Sequence, residues 1–363
     1  MTQQEIFWLR LHLTAGLGRQ RLIQLIHHYG SAEAALAVSP EHWARHAQVK
    51  SKSLGTPLHE NDPQFQQIIT TLDQLKVRLV SLWDDDYPQS LRHISDPPAL
   101  LYLRGHWPEG RRLALVGSRR CSPAAQRWTE SLAHSLSGQN LTVVSGLARG
   151  IDGAAHRGGL QGAGSTIAVL GCGIDQIYPI ENRSLYQQIA DRGLIISEYP
   201  PGTEPRPGNF PGRNRIISGL CEGVVVIEAA LKSGSLITAD FALEQGREVF
   251  AVPGSPYDRQ TAGCLELIRQ GATMVCQPQD IFDHFGLTHN TVAVELATPS
   301  LPPLSTSQNM VLEKLSKTPL HLDNLATQSG LTPMEVSAIV LHLELLGLAQ
   351  SLPGGHYIRA FPS

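Results

Sequence analysis

The chain has 363 residues, enough for two or three domains at roughly 150 residues per domain. Hydrophobic residues make up 42% and charged residues 17% of the sequence, which is typical of a folded globular protein and excludes the disordered and fibrous classes. The net charge is −3 and no segment is basic overall, so bulk charge gives no sign of a nucleic-acid-binding protein.

The sequence contains no apolar run of about 18 residues, and no basic segment followed by an apolar stretch stands at its start. We therefore expect neither a membrane span nor a secretory signal. The five cysteines are widely spaced and form no CxxC pair, so neither a disulfide framework nor a zinc site is expected. The expected compartment is the cytoplasm, and no cofactor is predicted.

Arginine supplies 23 of the 29 basic side chains, and Lys232 is the only lysine between residues 101 and 290. Arginine holds phosphate or carboxylate with a planar fork of donors, whereas lysine acts as a hydrated point charge. We therefore expect any bound anion to meet a local cluster of arginines.

Residues 1–62 are predicted to form a helical module of the SAM or helix-hairpin-helix type. Apolar residues recur at helical spacing from Ile6 to about Leu36, interrupted by a glycine turn at 16–18. Such a turn can hold a DNA phosphate, and Arg19 and Arg21 lie beside it; the alternative is a helix corner that packs on its neighbour. Residues 53–63 are predicted to be a linker.

Residues 63–288 are predicted to form an α/β domain. From Val77 onward short apolar runs alternate with helical stretches, which is the pattern of βαβ units in a parallel sheet covered on both faces. Eight runs are candidate strands of one large open sheet: 77–82, 113–116, 141–144, 166–170, 194–196, 224–227, 249–252 and 273–275.

Ligands of such sheets bind outside the carboxyl ends of the strands, so the residues after each run are the candidate site. Those residues are rich in glycine and serine, and they include Gly117, Ser118, Arg119, Ser145, Gly146, Arg149, Gly150, Ser233, Gly234 and Ser235. Glycine lets backbone N–H groups approach an anion, and a following helix N-terminus adds partial positive charge. Tight turns also need glycine for steric reasons alone, but several such loops at one edge favour a phosphate-binding rim.

The segment 206–217 places arginines and an aromatic ring in a Pro/Gly-rich stretch. Its candidate binding residues are Arg206, Phe210, Arg213, Asn214 and Arg215. Bases stack on an exposed aromatic ring without sequence preference, while arginine contacts the phosphates. The alternative is that Phe210 fills a gap against the sheet and that Arg213 or Arg215 pairs internally with Glu198 or Glu228.

The predicted rim shows no reactive constellation. Asp152 and His156 lie one helical turn apart, where they are expected to brace a loop rather than to transfer protons. Asp175 and Glu228 are left open as general bases or ribose contacts. The sequence has no GxxxxGK[ST] motif, so ATP hydrolysis of the P-loop type is not supported.

Residues 96–272, about half of the chain, resemble the DNA-processing protein A family (DprA, also called Smf) of bacterial transformation proteins. The resemblance is carried by ordered motifs: VGSR at 116–119, SGLARGID at 145–152, GCGID at 171–175, SEYPPG at 197–202, FPGRNRIISG at 210–219, SGSLITA at 233–239 and AVPG at 251–254.

The resemblance implies an extended Rossmann-like domain between the helical module and a small C-terminal domain. It implies sequence-independent binding of single-stranded DNA, protection of incoming DNA, homodimerisation through the Rossmann-like domain, and loading of a RecA-type recombinase in natural transformation. Single-strand binding protein is a further expected partner, and no catalysis is expected.

By the same resemblance Arg119 is expected to hold phosphate, Phe210 and Arg213 to form a stacking and basic wall, and Lys232 to stand beside the pocket. Arg206 takes a role often given to lysine. Two departures are Leu265, where relatives commonly have a polar residue, and Gly212, where many have a second basic residue.

Residues 289–308 are predicted to be a linker and 309–363 a winged helix-turn-helix domain. Its reading helix, 333–346, would present Glu335, Ser337, His342 and Glu344, with no lysine or arginine. Duplex readers present Arg, Lys, Asn or Gln, so we expect this domain to bind protein, or its own core domain, rather than duplex DNA.

A second class remains open, a nucleotide-binding or nucleotide-processing enzyme of Rossmann-like fold, because glycine-rich rims also bind mononucleotides. A mononucleotide needs one closed base site. A strand groove needs basic residues spread along several loops, as Arg119, Arg206, Arg213 and Lys232 are spread in this sequence.

Overall fold

The computed structural model describes residues 1–46, 54–287, 304–316, 318–346, 348–352 and 354–360. The chain divides into two compact units, Met1–Leu287 and Thr288–Ser363. The first unit contains a helical module and a large sheet with its covering helices, and the second contains a small helical domain with a three-stranded sheet.

The helical module begins with four helices, α1 (Gln3–His12), α2 (Arg19–Tyr29), α3 (Ala32–Leu36) and α4 (Pro40–His46). Helix α1 starts at a capping box in which the side chains of Thr2 and Glu5 each bind the other's backbone N–H. Leu9, Leu22 and Trp43 are fully buried between the helices. Residues 54–62 pack on this module, since Gly55 N–H donates to Ala15 O over 2.8 Å.

The large sheet has nine strands in the order β1-β2-β6-β5-β4-β3-β7-β8-β9. Their bounds are β1 (Arg78–Ser81), β2 (Leu100–Gly105), β3 (Arg112–Gly117), β4 (Thr142–Ser145), β5 (Thr166–Leu170), β6 (Leu194–Ser197), β7 (Gly223–Ile227), β8 (Glu248–Ala251) and β9 (Thr273–Met274). Strands β3 to β9 run parallel, whereas β2 is antiparallel to both β1 and β6.

All eight predicted strands lie in this sheet, and the predicted Rossmann-like fold is confirmed. The prediction missed β2, because only a four-residue helix (Gln89–Arg92) lies between it and β1 and the two strands pair antiparallel, so its apolar run lies outside the βαβ alternation. As a result the sheet is mixed at one end, where a β1–β2 hairpin adds antiparallel strands to the parallel core.

Helices cover both faces of the sheet, which is why the residues of β5 and β7 are all buried. One face carries the helical module with α7 (Pro123–Gly138), α8 (Ile151–Gly159), α9 (Arg183–Arg192) and α13 (Pro278–His284). The other carries α6 (Gln89–Arg92), α10 (Asn209–Leu220), α11 (Gly234–Glu244) and α12 (Ala262–Arg269). Helix α5 (Pro63–Gln74) joins the module to β1, and a 3-10 turn spans Ile180–Asn182.

The helical module packs directly on the sheet unit. The Trp8 and Trp83 rings stack with centroids 5.3 Å apart, and His12 Nδ1 lies 2.8 Å from the Tyr102 hydroxyl. Arg19 Nε donates to Asp96 over 2.9 Å, and Arg21 donates to Gly16 O over 2.8 Å. Both arginines beside the glycine turn are therefore engaged within the protein, as the packing interpretation of the module predicts.

The second unit contains α14 (Thr306–Lys314), α15 (Leu322–Ser329) and α16 (Pro333–Leu345), with strands β10 (Leu320–His321), β11 (Ala349–Leu352) and β12 (His356–Arg359). The predicted winged helix is confirmed. Residues 306–308, which we predicted as linker, lie in α14, whose capping box at Ser305 and Gln308 starts the helix earlier. Residues 289–303 of that linker lie outside the described residues. Among the described helices of the chain, none has the length and hydropathy needed to span a membrane.

Candidate nucleic-acid interface

The carboxyl ends of strands β3 and β7 border an open groove of about 1060 Å³. The strand order reverses here, since β4, β5 and β6 lie to one side of β3 while β8 and β9 lie beyond β7. Parallel sheets bind ligands at such a reversal, because the loops on its two sides diverge and leave a crevice. The groove is therefore the candidate site.

The two sides of the groove differ in chemistry. The polar side, from the loops after β3, β7 and β8, contains Gly117, Ser118, Arg119, Lys232, Ser233, Gly234, Ser235 and Gln260. The apolar side, from the loops after β5 and β6 and from the first turn of α10, contains Tyr178, Pro205, Pro207, Phe210 and Pro211. Asn214 and the buried Arg213 lie between them. The groove thus offers anion contacts along one side and flat apolar surfaces along the other.

The loop after β3 brings Arg119 to the groove. A Cβ atom on Gly117 would overlap the carbonyl oxygen of Ile227, so only glycine lets the ends of β3 and β7 approach this closely. The Arg119 side chain is exposed, with Cζ 5.1 Å from the centre of the Phe210 ring. Among the described residues Arg119 has no carboxylate within ion-pair distance. Its guanidinium is available to a phosphate.

The N-terminus of α11 forms the second polar feature. Ser233 caps this helix by accepting a hydrogen bond from Ser235 N–H, and the two hydroxyls lie 2.7 Å apart. Gly234 is exposed at the helix start, beside the exposed Lys232. A helix N-terminus carries partial positive charge and unpaired N–H groups, so Lys232 and α11 act on an anion from the same direction.

Three backbone N–H groups of the loop after β4 are held by hydrogen bonds to side chains of α8. The carboxylate of Asp152 accepts from Gly146 N–H over 3.2 Å and from Ala148 N–H over 3.3 Å. His156 Nε2 accepts from Leu147 N–H over 3.2 Å, and burial lowers the pKa of this histidine to about 3. The ring is therefore neutral, and because its Nε2 accepts a hydrogen bond, its Nδ1 carries the proton. Nδ1–H donates to the Thr166 hydroxyl, 2.8 Å away. The predicted bracing role of Asp152 and His156 is confirmed.

The predicted contacts Ser145 and Gly146 therefore lie beneath the groove. Both are buried, and the Ser145 hydroxyl donates to Leu115 O over 2.6 Å. Gly150 lies at the loop end with φ +74°, where a Cβ would overlap Ser118 O, so it lets the loops after β3 and β4 meet. Arg149 is exposed but pairs with Glu181 at 2.5 Å. The sequence indicated the position of this loop but not that its donors are already used.

Arg213 lies beneath the groove, which differs from the exposed basic wall that we expected. Its side chain is 3% exposed and donates from Nη1 to the carbonyl oxygens of Gly146, over 2.7 Å, and Val169. Nε donates to Asn214 Oδ1 over 3.1 Å, and Cζ lies 5.8 Å from the centre of the Phe210 ring. Burial lowers the pKa of Arg213 from its ordinary value. Arg213 thus ties the ends of β4 and β5 to α10.

Phe210 is half-buried at the first turn of α10. A Cβ on Gly171 would come within 2.9 Å of the Phe210 ring, so the ring rests against the loop after β5. Asn214, one turn further along α10, donates to Gly234 O over 3.2 Å and so links this helix to the start of α11. Arg206 is exposed in the segment before α10, between two of the prolines that line the groove.

Arg215 is buried in an ion-pair network, as the internal-pairing alternative predicts. It lies 3.0 Å from Asp96 and 2.7 Å from Glu198, and 4% of its side chain is exposed. Because both carboxylates are bonded to it, Arg215 has no free surface for a phosphate. Gly212 and Leu265, the two departures from the family pattern, are not among the described residues that line the groove.

The candidate general bases have structural partners. Glu228 accepts from the Ser122 N–H over 2.7 Å and from the Ser122 hydroxyl over 2.5 Å, and Ser122 is the N-cap of α7. Asp175 accepts from Gly202 N–H over 2.9 Å. These contacts fix the entry to α7 and the turn after β6. The described residues contain no cluster of His, Cys, Asp and Glu able to hold a metal ion.

Sequence reasoning missed several residues of the groove. Tyr178, Arg120, Thr238 and Gln260 all line it. Tyr178 was not among the predicted contacts, although an aromatic side chain shortly after a glycine-rich strand end was a signal for it. Gln260 follows β8 by a longer loop, so spacing gave no indication of its position.

A Rossmann-like sheet with a groove at its reversal point, an N-terminal helical module and a C-terminal winged helix define the class of protein. Residues 78–286 match the family model described as DNA recombination-mediator protein A, residues 2–55 the DprA-like N-terminal HHH domain, and residues 295–355 the DprA winged helix domain. The chain belongs to the DprA/Smf family.

One relative matches nearly the whole chain, and another matches about half of it. Protein Smf of Escherichia coli is 36% identical over 366 residues, which cover 99% of this chain and 96% of the relative. The DNA processing protein DprA of Streptococcus pneumoniae is 47% identical over 207 residues, 56% of this chain and 73% of that protein.

Two solved structures share the fold. The crystal structure of DprA from Streptococcus pneumoniae aligns with TM-score 0.63 and 37% identity, covering 78% of this chain and 98% of that one. A structure of DNA processing protein A from Helicobacter pylori, described by its single-stranded DNA binding mode, aligns with TM-score 0.52 and 30% identity over 58% of this chain and 96% of that one.

Proposed function

We propose that the groove binds single-stranded DNA without sequence preference. The observation that carries the proposal is the division of one groove into a cationic side and an aromatic and proline side. A single strand exposes phosphates and unpaired base faces together, so it uses both sides, whereas a duplex keeps its base faces inside. Arg119, Lys232 and the start of α11 would hold phosphates, and the bases would lie toward Phe210.

A mononucleotide enzyme is the competing function. The exposed cations Arg119, Arg120 and Lys232 come from two separate loops, and Arg206 extends the basic surface beyond the groove. This spread suits several successive phosphates better than one. The carboxylates of Asp152, Asp175 and Glu228 already accept backbone hydrogen bonds, which favours a binding role over catalysis.

The test is fluorescence anisotropy of a labelled oligo-dT at two salt concentrations, with three unlabelled competitors: oligo-dT, a duplex of equal length and a mononucleotide. We expect salt-sensitive binding that oligo-dT displaces and that the other two do not displace at equal nucleotide concentration. Easy displacement by the mononucleotide would move the assignment to the nucleotide enzyme.

We further infer that the protein protects incoming DNA and loads a RecA-type recombinase onto it during natural transformation, in the cytoplasm. Membership of a family of recombination mediators supports this role. Single-strand binding protein is a further proposed partner, because a loading protein works on strands that such a protein covers. Strand exchange by the recombinase, with and without this protein, measures the loading activity.

A homodimer through the Rossmann-like domain is part of the proposal. Strand β9 lies at one end of the sheet with a single neighbour, β8, and Met274 in it is 52% exposed. A free strand edge with an exposed apolar side chain is suited to pairing with another chain. Sedimentation of the full chain, compared with Met274→Lys, tests this surface, and the variant is expected to shift the equilibrium toward monomer.

For the winged helix we propose a protein contact rather than duplex DNA. Helix α16 stands in the position of a reading helix, yet Met334 is 81% exposed, Leu341 is 59% exposed and Glu335 is also exposed. An apolar and acidic surface fits a protein better than a phosphate backbone. The domain boundaries at 62 and 288 that we infer from the sequence remain part of this proposal, whereas the boundary inferred at 308 moves to the helix cap at Ser305.

A further inference from the structure

Tyr178 is an exposed ring at the apolar side of the groove. It follows strand β5 and lines the groove with 42% of its surface exposed. Its ring centroid is 6.0 Å from that of Phe210, with the planes tilted by 43°. The two aromatic side chains are therefore neighbours on the same side of the groove, and Tyr178 is the more accessible of them.

The environments of the two rings differ. Phe210 has the guanidinium of Arg119 at 5.1 Å and that of Arg213 at 5.8 Å from its centre, and it rests against Gly171. Phe210 is therefore already engaged by cation–π contacts that hold Arg119 in place. In the described part of the chain Tyr178 has neither a cation over its ring nor a hydrogen bond to its hydroxyl. Its ring face is thus available to a ligand.

We propose that Tyr178 is a base-stacking residue, against which an unpaired base lies while the phosphates of the same strand contact Arg119 and Lys232. This inference rests on the proposed function and deepens it, because it assigns the groove a contact that only an unpaired base can make. Every base has a flat face, so the contact is independent of sequence. Paired bases hide those faces within the stack, so Tyr178 contributes selectivity for single strands.

A purely structural role for the ring would be to support Phe210. The variants Tyr178→Leu and Tyr178→Phe separate the two roles, because leucine keeps an apolar side chain beside Phe210 but offers no flat face, while phenylalanine keeps the flat face and loses only the hydroxyl. Tyr257→Leu is the matched control, since Tyr257 is 97% exposed and does not line the groove.

The experiment measures the dissociation constants of the full chain for oligo-dT and for an abasic oligomer with the same number of phosphates. Tyr178→Leu is expected to weaken oligo-dT binding by about five-fold or more, which is the lower end of measured base stacking on aromatic residues. It is expected to leave abasic binding unchanged. Tyr178→Phe and Tyr257→Leu are expected to bind both oligomers as the parent protein does.

Other results overturn the inference in distinguishable ways. If Tyr178→Leu weakens both oligomers equally, the ring supports the groove rather than a base. If Tyr178→Leu leaves the affinity for both oligomers unchanged while Arg119→Ala lowers both affinities, the proposed binding of single strands is supported and the stacking role of Tyr178 is wrong. If the parent protein binds no oligo-dT, the proposed function itself fails. A photo-crosslink from 5-iodouracil in the strand to Tyr178, absent in Tyr178→Leu, is the expected independent result.

Discussion

Arg215 Nε donates to Asp96 Oδ2 over 3.0 Å, and this pair joins two parts of the molecule that are far apart in sequence. Asp96 also accepts from Arg19 of the helical module, and Arg215 also pairs with Glu198 at the end of β6. Because Arg215 lies on α10, the helix that carries Phe210 and Arg213, the network fixes the base of the groove to both the sheet and the module. Stability of the unit and geometry of the groove thus depend on the same ion pairs.

Arg215→Ala is expected to destabilise residues 1–287 by about 3–5 kcal/mol, because it leaves the buried Glu198 carboxylate without its partner. Arg78→Ala is the control, since Arg78 and Asp86 are each more than half exposed and such pairs contribute about 1 kcal/mol or less. Urea unfolding followed by tryptophan fluorescence measures this unit alone, because every tryptophan precedes residue 129. Equal losses in the two variants would show that the network is not what stabilises the unit.

We predict that Asp96 makes the stability of the unit 1–287 depend on pH. Burial opposes its ionisation, but the hydrogen bond from Arg19 and the charge of Arg215 outweigh burial and hold the pKa of Asp96 below its ordinary value. A carboxyl group whose pKa is lower in the folded than in the unfolded protein stabilises the fold above about pH 4. This contribution is lost as the pH falls through the pKa of the folded protein. Asp96→Asn should therefore have a lower urea midpoint than the parent at pH 6, and the difference between the two midpoints should narrow below pH 4. A difference that stays constant from pH 6 to 3 would contradict this.

Substitutions of Arg213 and Arg119 are predicted to affect different properties, the first the stability of the protein and the second its binding of the strand. Arg213→Ala leaves the buried carbonyl oxygens of Gly146 and Val169 without a donor, at a cost of about 1–3 kcal/mol for an unsatisfied group. Arg119→Ala removes an exposed side chain, so stability should change by about 0.5 kcal/mol or less while strand binding weakens. Urea midpoints and oligo-dT affinities of both variants test the contrast, which fails if Arg119→Ala is as destabilised as Arg213→Ala.

We predict that the winged-helix domain does not bind duplex DNA. The segment 304–363 forms a compact unit with its own buried core, so it can be studied alone. We expect no gel shift of a duplex at physiological salt, because α16 carries no arginine or lysine. Tight binding at that salt would show that other elements of the domain contact the duplex.

Much of the sheet could be predicted because fully buried parallel strands appear in the sequence as short continuous apolar runs. Strand β5 was predicted with the bounds that the structure gives it, 166–170. Strand β2 could not be found from the same pattern, because it pairs antiparallel with β1 and only the four-residue helix α6 lies between the two strands. The start of α14 was placed too late because Ser305, one of the small polar residues that suggested a linker, serves here as the helix cap.

The candidate site was predicted in position but not in accessibility. Gly117 and Arg119 line the groove as the strand-end argument predicts, and Lys232 lines it as the family resemblance implies. Arg213 and Arg215 stand in the same arginine-rich segment, yet both are buried: Arg213 donates to backbone carbonyl oxygens and Arg215 pairs with carboxylates. Sequence alone does not distinguish an arginine that meets a ligand from one that satisfies buried carbonyl oxygens and carboxylates, because both occur beside glycines at strand ends.

The most direct test of the strand-binding claim is the salt dependence of oligo-dT affinity for the parent protein, Arg119→Ala, Lys232→Ala and the control Arg78→Ala. Each phosphate contact contributes about 0.7 to the slope of log affinity against log salt for a single strand. We predict that Arg119→Ala and Lys232→Ala each reduce the slope by about that amount, and that Arg78→Ala leaves it unchanged. An unaltered slope in both groove variants would contradict the assignment of this groove as the place where the strand binds.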